Sequence, residues 1–205
     1  MKIEMCESLI SSYLKHIKKC FVIQTNWKIT ANWNDWDKDN VEKLYDKIKK
    51  TEFVECFQKK NGSLQNIDQI LKQAEIDVVG INTKDVFMVE VAFHENGLGY
   101  KNVHKKVFEK ILRAYMCGHA YFPKFNIHII FATPKTPKTT LTTIEKNLEI
   151  LKQTFEEDHV SFQFLTNENF KNEILSPTIN ATKKEADDSQ LFVRSYKLLN
   201  SLQSM

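Results

Sequence analysis

The sequence predicts an α/β fold: a mixed central sheet of about five strands with helices packed around it. Two observations carry that prediction. Five compact runs rich in β-branched and aromatic residues, "FVIQTNWKIT", "EIDVVGI", "DVFMVEVAF", "FNIHIIFAT" and "VSFQFLT", mostly alternate with segments whose apolar residues recur at helical period. The second and third runs are joined only by "NTKD", which is too short for a helix and composed for a tight turn, so they form an antiparallel hairpin.

In chain order, Leu9, Ile10, Tyr13, Leu14 and Ile17 make one apolar stripe, which predicts a helix over 4–18. The strand after it runs out into the polar "NWNDWDKDN", where Asp39 or Asn40 caps a helix reaching about Lys50. Asn61-Gly62 marks a turn, and Ser63 caps a short helix carrying Leu64, Ile67, Ile70 and Leu71. The hairpin follows. Val103, Val107, Ile111, Leu112, Tyr115 and Met116 then form a helical stripe that Gly118 ends. Ile144, Leu148, Leu151 and Phe155 make another between the last two strands. The polar segment 176–188 reads as a surface connector, and Leu191–Leu202 as a final helix. The whole is one domain over 1–205, with a core at about 4–165 and a C-terminal helical appendage at about 166–205.

Composition excludes several classes. The net charge of +3 is too small a surplus to imply nucleic-acid binding by itself, so the distribution of charge has to decide. The N-terminus carries Glu4, Glu7, Lys15 and Lys18 where a signal peptide needs an apolar run, and nothing elsewhere approaches the ~18 apolar residues of a membrane span. Cys6, Cys20, Cys56 and Cys117 are widely spaced, with no C-x-x-C pair, so they read as reduced core residues and a cytoplasmic location is expected. There is no G-x-x-x-x-G-K-[ST], G-x-S-x-G or G-x-G-x-x-G, which removes the main support for P-loop, serine-hydrolase and dinucleotide chemistry.

The informative feature is a pair of carboxylates, Asp77 and Glu90, set inside the two apolar runs of the hairpin. An ionised carboxylate in a dry core is costly without a cation, hydrogen bonds or a metal. Alternation puts Glu75, Asp77 and Val79 on one face of the first strand, and Met88, Glu90, Ala92 and His94 on one face of the second. A register that joins those faces brings Asp77 and Glu90 together, and two oxygen ligands with room for water suit Mg2+ or Mn2+. The structural alternative is an ion pair of Glu90 with Lys72 or Arg113.

An Asp closing one strand, a 13-residue step across a hairpin, a Glu inside "VEVAF" and then a basic helix resemble the PD-(D/E)XK nuclease superfamily, the restriction-endonuclease-like fold. The resemblance covers residues 4–133 and implies a three-layer sandwich and a metal-dependent, endonuclease-like phosphodiesterase acting on DNA, of a defence or repair type. It also implies that Asp77, Glu90 and the Val91 carbonyl hold Mg2+ or Mn2+, with Glu7 of the first helix as an additional ligand. Ile76 replaces the usual Pro. Ala92 stands where the superfamily has its lysine, so the resemblance implies that His94, Lys101, Lys105 or Lys106 substitutes for it, or that the fold binds nucleic acid or a protein without cutting.

Lys106, Lys110 and Arg113 fall at i, i+4 and i+7 and offer a phosphate-binding stripe, with Lys135 and Lys138 on the loop of "TPKTPKTT" as further nucleic-acid contacts. Trp27, Trp33 and Trp36 border a polar loop, where they either stack on bases or pin the loop to the core. A homodimer is compatible with all of this.

Overall fold

The computed structural model describes residues 5–29, 36–93, 97–98, 102–156, 159–183 and 190–203. Its elements are α1 (Met5–His16), β1 (Val22–Lys28), α2 (Lys38–Lys49), a 3-10 turn (Glu52–Phe57), α3 (Ile67–Gln73), β2 (Glu75–Ile81), β3 (Asp85–Val91), α4 (Val103–Tyr121), β4 (Asn126–Thr133), α5 (Lys138–Thr154) and β5 (Val160–Thr166). A one-turn α6 (Asn167–Asn169), a π-helical stretch (Phe170–Leu175), α7 (Ser176–Thr182) and α8 (Leu191–Gln203) complete the chain.

The five strands form one sheet in the order β1-β2-β3-β4-β5. β1, β2 and β3 are antiparallel neighbours, whereas β3, β4 and β5 run parallel, as the crossovers through α4 and α5 require. The α/β class and mixed five-stranded sheet expected from the sequence are therefore present. Asn82 makes the hairpin turn: its Oδ1 accepts from the Lys84 and Asp85 amides at 2.9 and 2.8 Å.

Helices lie on both faces. One cluster gathers Ile48, Phe57, Ile70, Met88, Phe108, Tyr115 and Leu151 beneath α2, α3, α4 and α5. The other gathers Ile10, Leu14, Val78, Val89, Ile130 and Ile174 beneath α1 and the C-terminal helices. The stretch expected as a C-terminal appendage lies on α1, with Ile174 and Val193 fully buried. All four cysteines are free and buried. Trp27 packs edge-on to Tyr121 and Trp36 rests on the core, which is the loop-pinning role; Trp33 lies outside the described residues.

Several local expectations need correction. α2 is capped by Asp37, whose Oδ1 accepts from the Asn40 amide at 3.1 Å, and not by Asp39 or Asn40. Asn66 caps α3, which starts at Ile67 and not next to Ser63. The helical stripe predicted to end at Gly118 continues to Tyr121. The connector expected over 176–188 is helical through Thr182, and Thr178 and Thr182 can be buried there because their hydroxyls turn back to the carbonyls of Ile174 and Thr178; residues 184–188 lie outside the described residues.

Gly118 is there for contact. A Cβ on it would stand 2.8 Å from Ile127 Cγ2 and 3.3 Å from Met88 Sδ, so only glycine lets α4 lie this close to β3 and β4. Gly118→Val should lower stability by about 1–3 kcal/mol, the usual cost of overpacking, measured by urea unfolding. Unfolding at the wild-type urea midpoint would contradict this packing.

Candidate active site

The candidate site is assembled where β2 and β3 part. Their ladder runs from Ile81–Val86 to Val78–Val89 and stops there, although β3 stays paired with β4 through Val91. The next residues in register are Asp77 and Glu90. Asp77 bridges the opening with its side chain, Oδ2 accepting from the Val91 amide at 2.7 Å in place of a backbone bond. Val91 was expected to lend its carbonyl to a metal; here it contributes its N–H to Asp77.

The two carboxylates converge on one cation. Lys110 Nζ lies 2.6 Å from Glu90 Oε2 and 3.3 Å from Asp77 Oδ2. It comes from the second turn of α4, between the buried Val107 and Ile111, a position that turns its stem towards the sheet. The side chain of Glu90 is 2 % exposed, that of Asp77 20 % and that of Lys110 35 %, so the site grades from dry to wet along the lysine. A cleft of about 260 Å³ opens over these three, walled by Gln73, Glu75 and Arg113.

Arg113, one turn further along α4, is braced by Glu109 at 2.8 Å and by the amide oxygens of Gln65 and Gln73 at 3.4 and 3.3 Å. The basic stripe expected along this helix is therefore not uniform. Lys106 stays at the surface, paired with Glu109 at 3.1 Å, while Lys110 and Arg113 turn into the cleft. The alternative ion pair of Glu90 with Lys72 or Arg113 is replaced by the pair with Lys110.

The remaining candidates are dispersed. Lys105 lines a separate cavity beside Glu52, Glu55, Cys56 and His104. Lys135 and Lys138 are exposed where β4 leads into α5; Glu90 is level with Phe131, so they leave the sheet at the same end as the carboxylates. Glu7 on α1 accepts from Asn26 Nδ2 at 3.2 Å. His94 and Lys101 lie outside the described residues. Among the described residues, no third His, Cys, Asp or Glu joins Asp77 and Glu90 as a metal-holding group.

Two forces oppose each other at Glu90. The contact with Lys110 favours its ionised form, whereas burial favours the neutral one, and Asp77 adds like-charge repulsion. Burial dominates, because the carboxyl is almost wholly out of water while Lys110 keeps part of its length in solvent. It pushes the Glu90 carboxyl up to about 8, with the lysine offsetting only part of the rise.

The chain matches no protein-family model, no curated protein and no solved structure. No described helix is long and apolar enough to cross a membrane. The site must therefore be read from its own chemistry.

A carboxyl raised on folding stabilises the folded state fully below its ordinary range, and that contribution is lost as pH climbs through about 8. Glu90→Gln mimics the neutral carboxyl at every pH. It should match wild type in Tm near pH 5 and exceed it by roughly 5 °C or more near pH 8.5 in metal-free buffer, on the scale of a few kcal/mol. Parallel Tm curves across that window would show that Glu90 is ionised throughout.

Proposed function

We propose that this chain is a Mg2+- or Mn2+-dependent phosphodiesterase of the restriction-endonuclease-like kind, acting on DNA. Lys110 serves as the lysine that Ala92 lacks. The observation that carries this reading is the convergence of Asp77, Glu90 and Lys110 at one end of an open cleft. Ala92 is buried and offers no charge, but α4 crosses the same space and delivers an ammonium from the helix side.

The donor set fits a hard cation. Two carboxylates that no third His, Cys, Asp or Glu among the described residues joins in a metal-holding group suit an ion that takes one or two protein oxygens and keeps its remaining waters. The buried Glu90 gives a further reason: it requires a positive neighbour to be ionised, and Lys110 supplies only part of that charge. When bound, the ion supplies Lewis-acid polarisation of the phosphate and a lowered water pKa.

The chain's own residues do the remainder. Asp77 and Glu90 hold the ion, and the Val91 amide fixes the Asp77 carboxylate. Lys110 orients the attacking water and offsets the negative charge that grows on the phosphate. Arg113, held by Glu109 and two glutamines, and the exposed Lys135 and Lys138 meet neighbouring phosphates. The alternative, a nuclease-like module that binds nucleic acid or protein without cutting, was suggested by Ala92, and the placement of Lys110 weighs against it.

Purified protein with Mn2+ should nick supercoiled DNA. Asp77→Asn and Glu90→Gln should abolish nicking, and Lys110→Met should slow it by roughly two orders of magnitude, the scale of a lost proton-handling group. Lys106→Met, on the surface pair with Glu109, should cut at close to the wild-type rate. If calorimetry records Mn2+ binding but duplex, branched and single-stranded substrates all stay intact, the binding module is the correct reading. If Mn2+ does not bind, the three side chains form a structural ion-pair cluster.

A further inference from the structure

Asn26 lies within β1 yet has φ +50°, the left-handed region that strands do not use. Asparagine tolerates it better than most residues, but a strand interior gives no local reason to adopt it. The register shows what happens there. Thr25 pairs with Val78 and Trp27 with Ile76, so Asn26 stands opposite Asp77 at a position where no pair forms.

The ribbon turns over at that point. Val78 buries with Leu14 and Val89 on the α1 side, whereas Ile76, only two residues away, buries with the cluster under α4. β1 follows, since Ile23 packs against the first cluster and Trp27 against the second. A regular strand keeps residues i and i+2 on one face, so both strands reverse their faces across Asn26 and Asp77. Backbone held in such a region concentrates at functional sites.

The Asn26 side chain contacts one candidate acid, Glu7, and its backbone stands across from another, Asp77. Its Nδ2 donates to Glu7 Oε2 at 3.2 Å, and an ionised carboxylate can only accept, so Glu7 decides which end of the amide is nitrogen. Oδ1 must then point away from Glu7. Among the described residues it takes no hydrogen bond, and it sits on the residue facing Asp77.

We propose that Asn26 is a positioning residue for the carboxylate site. Oriented by Glu7, its Oδ1 accepts a hydrogen bond from water held beside Asp77 and Glu90. Glu7 thus acts on the site through Asn26 and not as a direct ligand, consistent with its absence from any metal-holding group among the described residues. This inference rests on the metal-dependent reading above.

The test is Mn2+ affinity by calorimetry on the full chain, with Tm recorded in parallel. Asn26→Gly accepts the positive φ, so the fold and Tm should be kept or improved, while Mn2+ affinity should fall about tenfold, the low end for an outer-sphere partner. Glu7→Gln should lose a similar factor, and the double variant should lose no more than either single one, because the two act along one path. The proposal is overturned if either single variant stays within about twofold of wild type, or if the two losses multiply. Asp77→Asn separates the outcomes. If it abolishes Mn2+ binding while Asn26→Gly does not weaken it, the metal site stands and the role of Asn26 falls; if wild type binds no Mn2+, both fall together.

Discussion

The burial of Glu90 where two strands separate is the constraint on which the rest of the structure depends. The residue lies on β3 one step beyond the end of the β2 ladder, where its pairing with Phe131 of β4 still fixes its backbone, and its side chain cannot escape to water. An ionised carboxylate in such a place costs several kcal/mol unless it is compensated. Asp77 and Lys110 are arranged around that cost. One ties down the parted strands through the Val91 amide, and the other brings a positive charge from the overlying helix.

The same requirement governs α4. The helix must lie close enough to the sheet for Lys110 to span the gap with most of its stem covered, and Gly118 permits this by letting the backbone approach Ile127 and Met88. Close packing further along the helix and the charge contact in its second turn set its height and rotation together. That rotation also decides that Lys106 faces solvent while Arg113 turns inward to Gln65 and Gln73. A helix rotated by one residue would lose the lysine from the carboxylates and expose part of its apolar stripe.

Some of this was legible in the residues. The pairing of Asp77 with Glu90 could be read because strand alternation has a strict period of two and "NTKD" leaves little freedom of register. Lys110 could be seen as one of three basic residues on a face, but not singled out, because which member of the row meets the sheet depends on helix rotation, a property of packing. The helical nature of Ser176–Thr182 was hidden by its polar composition: its threonines satisfy their hydroxyls within the helix and then bury. Asn26 carried no signal at all, since nothing in the residues around it marks a left-handed backbone within a strand.

By itself, the sequence determined the α/β class, the hairpin, the helical stripes and the presence of two carboxylates that would need company in an apolar setting. Those features follow from periodicity and from the cost of burying charge, both of which act over a few residues. Only the tertiary structure decided which cation answers the carboxylates and where the strands part and turn over. It also decided that Glu7 of the first helix meets Asn26 of the first strand. Each of these depends on contacts between residues far apart in the chain, such as Lys110 with Asp77 and Asn26 with Glu7, and no local pattern encodes the rotation and spacing that create them.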